Sequence, residues 1–311
     1  LGPTRRSPTT IRALRRAARR HDVVVAHGST TLPVTTAALT GLRLPFVYRQ
    51  ISDPLHWAST ASRRARVSVM LRRAAKVVAL SPGAAEIVRR HYALHSDRIT
   101  VIPNAVPADD FTPPDEATSA RARAGFGIHG HDVLLVYIGA LVPEKGVDIA
   151  IRTVANRPGT QLLVVGDGDR RAALEDLGAR TAGARISFAG PTERPLAALH
   201  AADLLAFPSL AGDSMPAVLI EAGLTGRASV ATDVGSIADI VVDGVTGRIV
   251  PPGDRSAFET AVGELVTDSS RRRAMGEAAR ARCLERFTIA STAPDWLGVL
   301  SDVAARRTRR G

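Results

Sequence analysis

Short apolar runs alternate with longer amphipathic stretches along most of the chain. Four runs lie in the first third, at residues 22–27, 45–48, 76–80 and 98–102. Five more lie at residues 132–138, 161–165, 185–188, 203–208 and 229–231. Runs of this length, rich in valine and leucine, are typical of strands buried on both faces of a parallel sheet. Strands separated by helical stretches predict the α/β class with right-handed crossovers.

Helix signals fill the intervals between these runs. Helices are predicted at residues 7–20, 63–76, 84–92, 259–287 and 290–305. Ser81 and Pro82 supply a cap and a first-turn proline for the third of these helices. Residues 109–130, which include Pro113-Pro114 and many small side chains, are predicted as a linker. The pattern therefore predicts two α/β domains, one on each side of this linker.

The stretch at residues 209–226, SLAGDSMPAVLIEAGLTG, contains the clearest chemical signal. A turn breaks the strand pattern just before Pro216, which suits a first helical turn. Asp213 then lies in the loop before the helix, and Glu221 lies about two turns inside it. Helix N-terminal amides favour phosphate, whereas a carboxylate deeper in the helix accepts hydrogen bonds from hydroxyls such as those of ribose. The combination predicts a nucleotide-sugar as the ligand.

Composition limits the classes of protein to which the chain can belong. Its 311 residues, with 45% hydrophobic and 23% charged side chains, are typical of a globular protein with two domains. No apolar run reaches the roughly 18 residues that span a bilayer, and no signal peptide is visible, so the sequence predicts a cytoplasmic protein. The single cysteine, Cys283, excludes an internal disulfide framework and a thiolate metal site.

Positive charge is concentrated in the first third of the chain. Residues 1–110 hold 18 Lys and Arg against 6 Asp and Glu, a net charge of +12, whereas the remainder holds 23 against 24, a net charge of −1. Basic surfaces attract anionic lipids, nucleic acids and phosphorylated substrates alike. Nucleic acid is not expected as a partner, because aromatic residues make up only 4% of the chain and no nucleic-acid-binding motif accompanies the arginines.

The basic helix predicted at residues 63–76 has two interpretations. An amphipathic basic helix can lie on an anionic membrane, which would place the protein at the inner face of the membrane. A plain helix with one buried face explains the same residues. The arginines concerned are Arg63, Arg64, Arg66, Arg72 and Arg73.

The region around Asp213 and Glu221 resembles a known family, the retaining glycosyltransferases of the GT-B fold in the large group 4 type. That family carries a Glu-x7-Glu motif, which this chain matches with Asp in the first position. The continuation, EAGLTGRASVATDVGSIADIVVDGVTGRIVPPGD at residues 221–254, is also similar. GALVPEKG around Lys145 resembles the family's GRLVPEKG segment, and residues 103–106 resemble its PNGV segment with Ala105 in place of Gly. The resemblance extends from about residue 22 to the C-terminus.

The resemblance implies two Rossmann-like domains facing each other across a cleft, the first lacking the strand and glycine-rich loop with which such domains begin. The expected parts are an acceptor-side domain at residues 1–112, a linker at residues 113–130, a nucleotide-sugar-binding domain at residues 131–288, and a C-terminal helix with a basic tail at residues 289–311. The implied reaction transfers a sugar, expected to be a hexose, from a nucleotide-sugar to an acceptor hydroxyl with retention of the anomeric configuration. An acceptor sugar, a lipid-linked sugar or a small molecule is expected, with no cofactor and no metal.

The resemblance also implies roles for individual residues. Lys145 is expected on the leaving diphosphate, Asp213 beside the donor sugar, and Glu221 on the ribose. His27 ends a strand at the proposed cleft, where it either binds a sugar or serves as a structural strand-end histidine. Further donor-binding positions are Gly139, Gly166, Gly190, Ser214, Met215, Ala217 and Val218.

Two departures from the family pattern keep a second class of function open. The family usually carries an Arg directly after the glycine where this chain has Ala140, and a second His where this chain has Arg49-Gln50-Ile51. A missing charge-assisted contact to the diphosphate costs about 1.5 to 3 kcal/mol. A non-catalytic nucleotide-sugar-binding or interaction protein is therefore the alternative to an enzyme.

Two other signals are weak. Gly166-Asp-Gly168 follows an apolar run but lacks the third glycine of a dinucleotide fingerprint, so a hydride-transfer enzyme is not favoured. His91 and His95 are four residues apart without a third metal ligand nearby, which favours solvent-facing histidines over a zinc site.

Overall fold

The computed structural model describes residues 7–51, 60–192 and 195–308, with side chains described to residue 305. Asp53, which follows the second predicted strand, lies outside the described residues. The chain divides into two compact units, one of Leu1–Asn104 with Thr292–Gly311 and one of Ala105–Ser291. By this division residues 113–130 fall within the second unit.

The first unit is built on a four-stranded parallel sheet whose strand order follows the chain. Its strands are β1 (Val24–His27), β2 (Phe46–Arg49), β3 (Lys76–Ala79) and β4 (Ile99–Val101). Its first helices are α1 (Pro8–Ala18), α2 (Leu32–Ala38), α3 (Ala61–Arg73) and α4 (Pro82–Tyr92). The four apolar runs of the first third thus form the predicted parallel strands.

Two helix ends in this unit illustrate local control by sequence. The hydroxyl of Ser81 accepts a hydrogen bond from the amide of Ala84 at 3.1 Å, which confirms the predicted cap of α4. The basic helix α3 ends at Arg73, three residues before its predicted end. Ala74 adopts an extended conformation, and Lys76 already belongs to the next strand.

The second unit contains a six-stranded parallel sheet in the order β10-β9-β8-β5-β6-β7. Its strands are β5 (Val133–Ile138), β6 (Thr160–Val165), β7 (Ile186–Gly190), β8 (Leu204–Phe207), β9 (Ala228–Thr232) and β10 (Gly247–Val250). The helices from here on are α5 (Glu116–Gly125), α6 (Val147–Ala155), α7 (Arg171–Thr181), α8 (Pro195–Ala201), α9 (Ala217–Leu224), α10 (Ile237–Ile240), α11 (Arg255–Thr267), α12 (Ser269–Arg286) and α13 (Ile289–Thr308). The first five strands confirm predicted runs, whereas β10 was not predicted.

The second unit differs from prediction at two helices. The single helix predicted at residues 259–287 is two helices, because the Asp268 carboxylate accepts from the amide of Arg271 at 2.8 Å and so starts a new helix. The predicted linker contains α5, which begins at the cap residue Asp115. Arg123 of that helix forms an ion pair with Asp203, just before β8, and this contact holds α5 on the sheet.

Both faces of the first sheet are covered by helices. Tyr48 lies on one face, in a buried cluster with side chains from α1 to α4. Val47 and Val78 lie on the opposite face and pack against Val299 and Val303 of α13. Alternation along the strands assigns neighbouring residues to opposite faces, so both faces of the sheet are apolar.

Candidate active site

The strand order of the second sheet reverses between the neighbouring strands β5 and β8. From β5 the chain adds β6 and β7 on one side, and from β8 it adds β9 and β10 on the other. Open α/β sheets bind ligands at the carboxyl ends of their strands at such a switch point. Lys145 closes the short helix Pro143–Lys145 after β5, and Asp213 lies in the loop after β8. Two of the three residues that the sequence assigned to chemistry, Lys145 and Asp213, therefore follow the two strands that flank the switch point.

Lys145 and Asp213 form an ion pair at this position. The Nζ atom of Lys145 lies 2.5 Å from Oδ1 of Asp213. The two side chains are only 20% and 11% exposed, so water screens the pair weakly. The ammonium also lies 6.0 Å from the ring centre of Phe207. This geometry positions the ammonium while leaving it further N–H donors for a ligand.

Ser209 completes this arrangement and was missed as a functional residue. Its hydroxyl donates to Oδ2 of Asp213 at 2.5 Å and lies 3.2 Å from the carbonyl of Glu144. Both oxygens of Asp213 are thus engaged by the protein. The signal was present in the sequence, because Ser209 begins the stretch that contains Asp213, but only the loop conformation brings the two side chains together.

The loops after β5 and β8 are also joined through their backbones. The amide of Leu210 donates to the carbonyl of Glu144 at 2.7 Å. Gly146 has φ of +60°, and a Cβ atom there would lie 2.3 Å from the carbonyl oxygen of Pro208. Only glycine fits this left-handed turn against the neighbouring backbone. Lys145, directly before Gly146, therefore lies in a loop whose position is determined by close backbone contact.

Three predicted donor-binding glycines lie at the ends of the neighbouring strands β5, β6 and β7. The amide of Gly139 donates to Val165, and the amide of Gly166 donates to the carbonyl of Gly190 at 2.9 Å. A Cβ atom on Gly166 would lie 1.9 Å from the carbonyl oxygen of Gly139, and one on Gly139 would lie 2.8 Å from the hydroxyl of Tyr137. Contacts within the protein therefore explain two of these glycines before any ligand is considered.

The helix after Asp213 begins later than predicted. Pro216 is the cap residue of α9, with φ of −69° and ψ of 125°, and the first helical residue is Ala217. Glu221 is consequently about one turn inside the helix, and the predicted two turns are wrong. The extended conformation of Pro216 is the reason, because it keeps Ser214 and Met215 in the preceding loop.

The four small or apolar positions predicted around this helix differ in their surroundings. Ala217 and Val218 open the helix, where backbone N–H groups have no acceptor within the helix. Ser214 accepts at its carbonyl from the amide of Ser236 at 2.7 Å, and its hydroxyl is buried without a hydrogen-bond partner in the described part of the chain. Met215 is 4% exposed and belongs to the core. The donor contact predicted for Met215 would therefore involve its backbone and stays a prediction.

The carboxylate of Glu221 has no hydrogen-bond or ion-pair partner among residues 7–51, 60–192 and 195–305. It is half-buried on α9, and burial raises its pKa above the ordinary value of 4.5. A carboxylate in this state can accept hydrogen bonds from neutral hydroxyls, which compensate for the water it has lost. Ribose binding by Glu221 stays a prediction.

His27 belongs to the first unit, at the carboxyl end of β1. Its side chain is exposed, and the parallel register pairs it with Arg49 of β2. Loss of water from the partly covered ring and, to a smaller extent, the charge of Arg49 lower the pKa of His27 below 6.5. The histidine is therefore neutral at physiological pH and can exchange hydrogen bonds with a hydroxyl.

The remaining candidates are surface features. All five predicted arginines of α3 are exposed, and Val69 between them is 61% exposed. In the described residues, no helix is long and apolar enough to cross a membrane, and no group of three His, Cys, Asp or Glu is placed to hold a metal ion.

His91 lies on α4 and is half-buried, whereas His95 lies beyond the end of that helix.

These features define a doubly wound α/β unit with a lysine–aspartate ion pair at its switch point. Residues 119–282 match the profile of the family described as Glycosyl transferases group 1, and residues 2–110 match that of Glycosyltransferase Family 4. The chain belongs to the glycosyl transferases group 1 family.

Individual relatives are longer proteins. A D-inositol 3-phosphate glycosyltransferase of Mycobacteroides abscessus is 34% identical over 54% of this chain and 39% of its own length. The alpha-D-kanosaminyltransferase of Streptomyces kanamyceticus is 28% identical over 83% of this chain and 66% of its own. The chain thus spans less than two thirds of the length of these curated relatives.

Solved structures with the same fold are more distant in sequence. HepE of Anabaena, crystallised in complex with UDP-glucose, has a TM-score of 0.86 and 22% identity over 94% of this chain and 82% of its own. Sucrose-phosphate synthase of Thermosynechococcus elongatus has a TM-score of 0.86 and 21% identity over 96% of this chain and 78% of its own. These matches confirm the two parallel-sheet α/β domains of the GT-B fold.

Proposed function

We propose that this chain transfers a sugar from a nucleotide-sugar donor to an acceptor hydroxyl, with retention of the anomeric configuration. The observation that carries the proposal is the 2.5 Å contact between Lys145 and Asp213 at the switch point. Glu221, on the helix that follows Asp213, supplies a second carboxylate. A cation, two carboxylates and helix-opening amides together suit a ligand that has both a diphosphate and hydroxyl groups.

Lys145 has the role of stabilising the leaving group. As the bond between the sugar and the diphosphate breaks, negative charge grows on the departing oxygen. The ammonium of Lys145 and the amides of Ala217 and Val218 stabilise that charge. Because Asp213 already holds the ammonium in place, little reorganisation is needed when the donor binds. The scheme requires no metal ion.

The two carboxylates bind hydroxyl groups of the donor. Asp213 accepts from the sugar, and Glu221 accepts from the ribose. The acceptor hydroxyl attacks the anomeric carbon from the face that the diphosphate leaves, which retains the configuration. Its proton passes to the departing phosphate oxygen, so the step needs no separate base.

The relatives indicate which substrates to test first. HepE was crystallised with UDP-glucose, and several relatives are named D-inositol 3-phosphate glycosyltransferases. UDP-glucose and D-inositol 3-phosphate are therefore the first donor and acceptor, followed by other UDP- and GDP-sugars and neutral acceptors.

The test measures release of the nucleoside diphosphate, with the anomer of the product determined by NMR and parallel samples containing EDTA. We expect turnover with retention in EDTA, and a fall of about 10² to 10³-fold for Lys145→Ala, the usual cost of removing a group that stabilises transition-state charge. Lys76→Ala is the matched control, because Lys76 donates to the carbonyl of Asp97 in the other unit. An inverted product, or equal loss in both variants, would contradict the proposal.

A non-catalytic nucleotide-sugar-binding or interaction protein is the alternative. Ala140 is the observation that favours it, since this exposed residue supplies no second cation beside the switch point. Such a protein would bind UDP but release no sugar. Ala140→Arg sharpens the distinction, because added charge should raise the turnover of an impaired enzyme but create none in a binder.

The exposed arginines of α3 support association with an anionic membrane at its cytoplasmic face. Their charge would attract anionic headgroups, and Val69 would enter the interface. Sedimentation with phosphatidylglycerol vesicles should fall strongly when salt rises from about 0.05 to 0.5 M, because screening shortens the range of the attraction. Binding that is equal for phosphatidylcholine vesicles would exclude this partner.

A further inference from the structure

The carboxyl edge of the first sheet carries a half-buried arginine. Arg49 ends β2 and lies in register with His27 of β1. Arg49 is two residues beyond Val47, and His27 is two residues beyond Val25. Both valines pack on the face covered by α13. Because alternate residues of a strand share a face, Arg49 and His27 extend this face to the edge where parallel sheets bind ligands.

The guanidinium of Arg49 is positioned by two neutral groups. Its Nη2 atom donates to Oδ1 of Asn104 at 2.8 Å, and its central carbon lies 5.5 Å from the ring centre of Trp296 on α13. Its Nε atom is buried without a hydrogen-bond partner within the described ranges. These contacts hold the group in one orientation, and none of them supplies a negative charge.

Two other partly buried arginines are paired with carboxylates, whereas Arg185 and Arg227 donate to several backbone carbonyls without an ion pair among the described residues. Arg123 forms an ion pair with Asp203, and Arg248 forms ion pairs with Asp243 and Glu264. For Arg49, no carboxylate among the residues described lies within 4 Å. Burial accordingly lowers the pKa of Arg49. An uncompensated charge away from water is costly, so an anion supplied from outside would be bound strongly.

The neighbouring histidine extends the site with neutral chemistry. His27 is exposed at the adjacent strand end, and its lowered pKa keeps the ring neutral at physiological pH. A neutral imidazole can donate to or accept from a hydroxyl. The edge therefore offers a fork of charged N–H donors next to a group that suits a hydroxyl.

We propose that Arg49 binds a phosphate or carboxylate group of the acceptor substrate, while His27 contacts a hydroxyl of the same molecule. Guanidinium groups bind such oxyanions through paired hydrogen bonds, and the flat ring of Trp296 supports the guanidinium from one side. The protein would thus select anionic over neutral acceptors. The assignment to the acceptor rests on the proposed function, whereas the anion site itself rests on Arg49 and its contacts with Asn104 and Trp296.

Trp296 provides a direct probe of binding. The chain contains two tryptophans, so Trp57→Phe leaves Trp296 as the only one. The fluorescence of this variant is titrated with inorganic phosphate, glucose 6-phosphate, glucose, UDP and GDP at constant ionic strength. We expect saturable changes with phosphate and glucose 6-phosphate and none with glucose.

Charge variants in the same background test the assignment. Arg49→Gln should weaken glucose 6-phosphate binding at least tenfold, and Arg49→Lys, which keeps the charge without the fork, should weaken it less. Arg66→Gln, an exposed charge on α3, is the matched control and should have no effect. Unchanged affinity in Arg49→Gln, or no response of Trp296 to any anion, would overturn the proposal.

Titration with UDP and GDP distinguishes a failure of the anion-site proposal from a failure of the proposed function. If Arg49→Gln weakens UDP binding but not glucose 6-phosphate binding, the anion is the donor diphosphate and the acceptor assignment is wrong. If neither UDP nor GDP binds while glucose 6-phosphate binding still depends on Arg49, the anion site stands and the proposed function fails.

Discussion

The carboxyl edges of the two sheets differ in how the protein compensates charge. In the second unit, Lys145 and Asp213 neutralise each other, and Ser209 satisfies the second carboxylate oxygen. In the first unit, the guanidinium of Arg49 contacts the neutral side chains of Asn104 and Trp296, and no carboxylate of the described residues is paired with it. A compensated pair can hold reactive groups in place before a ligand arrives, whereas an uncompensated charge gains its partner from the ligand. The same position in two parallel sheets thus supports two modes of recognition.

Removing one cation from each edge should produce opposite effects on stability. Lys145→Ala leaves the 11% exposed Asp213 without its counter-ion, and we expect a loss of about 3 kcal/mol in the free energy of unfolding. Arg49→Gln removes an uncompensated charge and should be neutral or stabilising. Urea denaturation of both variants measures the difference.

The double variant Lys145→Ala with Asp213→Ala sharpens this comparison. It removes both charges and should recover much of the stability lost in Lys145→Ala. Equal destabilisation by Lys145→Ala and Arg49→Gln would show that the two edges do not differ in this way.

The same contrast between a paired and an unpaired charge occurs within the second unit. The Asp213 carboxylate is paired with Lys145, whereas the Glu221 carboxylate lacks a partner among the described residues. Glu221→Ala should weaken UDP binding about tenfold, the effect of losing one charge-assisted hydrogen bond. Asp213→Asn should weaken it less than threefold, since this residue is proposed to contact the sugar. Calorimetric titration with UDP distinguishes the two, and equal losses would refute the assigned roles.

The smallest expected effect is a gain in thermal stability from Glu221→Gln. The raised pKa means that folding favours the protonated form, so ionisation of Glu221 opposes folding as the pH rises above 4.5. The variant should melt about 2 to 4 °C higher than the native chain at pH 8, which corresponds to about 1 kcal/mol. At pH 4 the two should melt alike. Glu277→Gln, at an exposed position, is the control, and a gain that persists at pH 4 would contradict this explanation.

Much of the secondary structure could be predicted because it depends on local chemistry. The apolar run after Lys76 forms β3, and Ser81 caps the helix that follows, as expected. The errors lie where two local signals compete. Pro216 suited the first turn of a helix but serves as its cap, and Asp268 divides a continuous helical pattern because its side chain caps a second helix.

The sequence by itself determined the α/β class, the family, and the separate candidates Lys145, Asp213 and Glu221, because strand periodicity and motif spacing are properties of neighbouring residues. Only the tertiary structure showed that Lys145 and Asp213 are paired, that Ser209 joins them, and that Arg49 lacks an acidic partner in the described part of the chain. Lys145 and Asp213 are 68 positions apart, and Arg49 and Asn104 are 55 apart. Strand order and loop conformation bring such residues together, and neither can be read from residues that are adjacent in the chain.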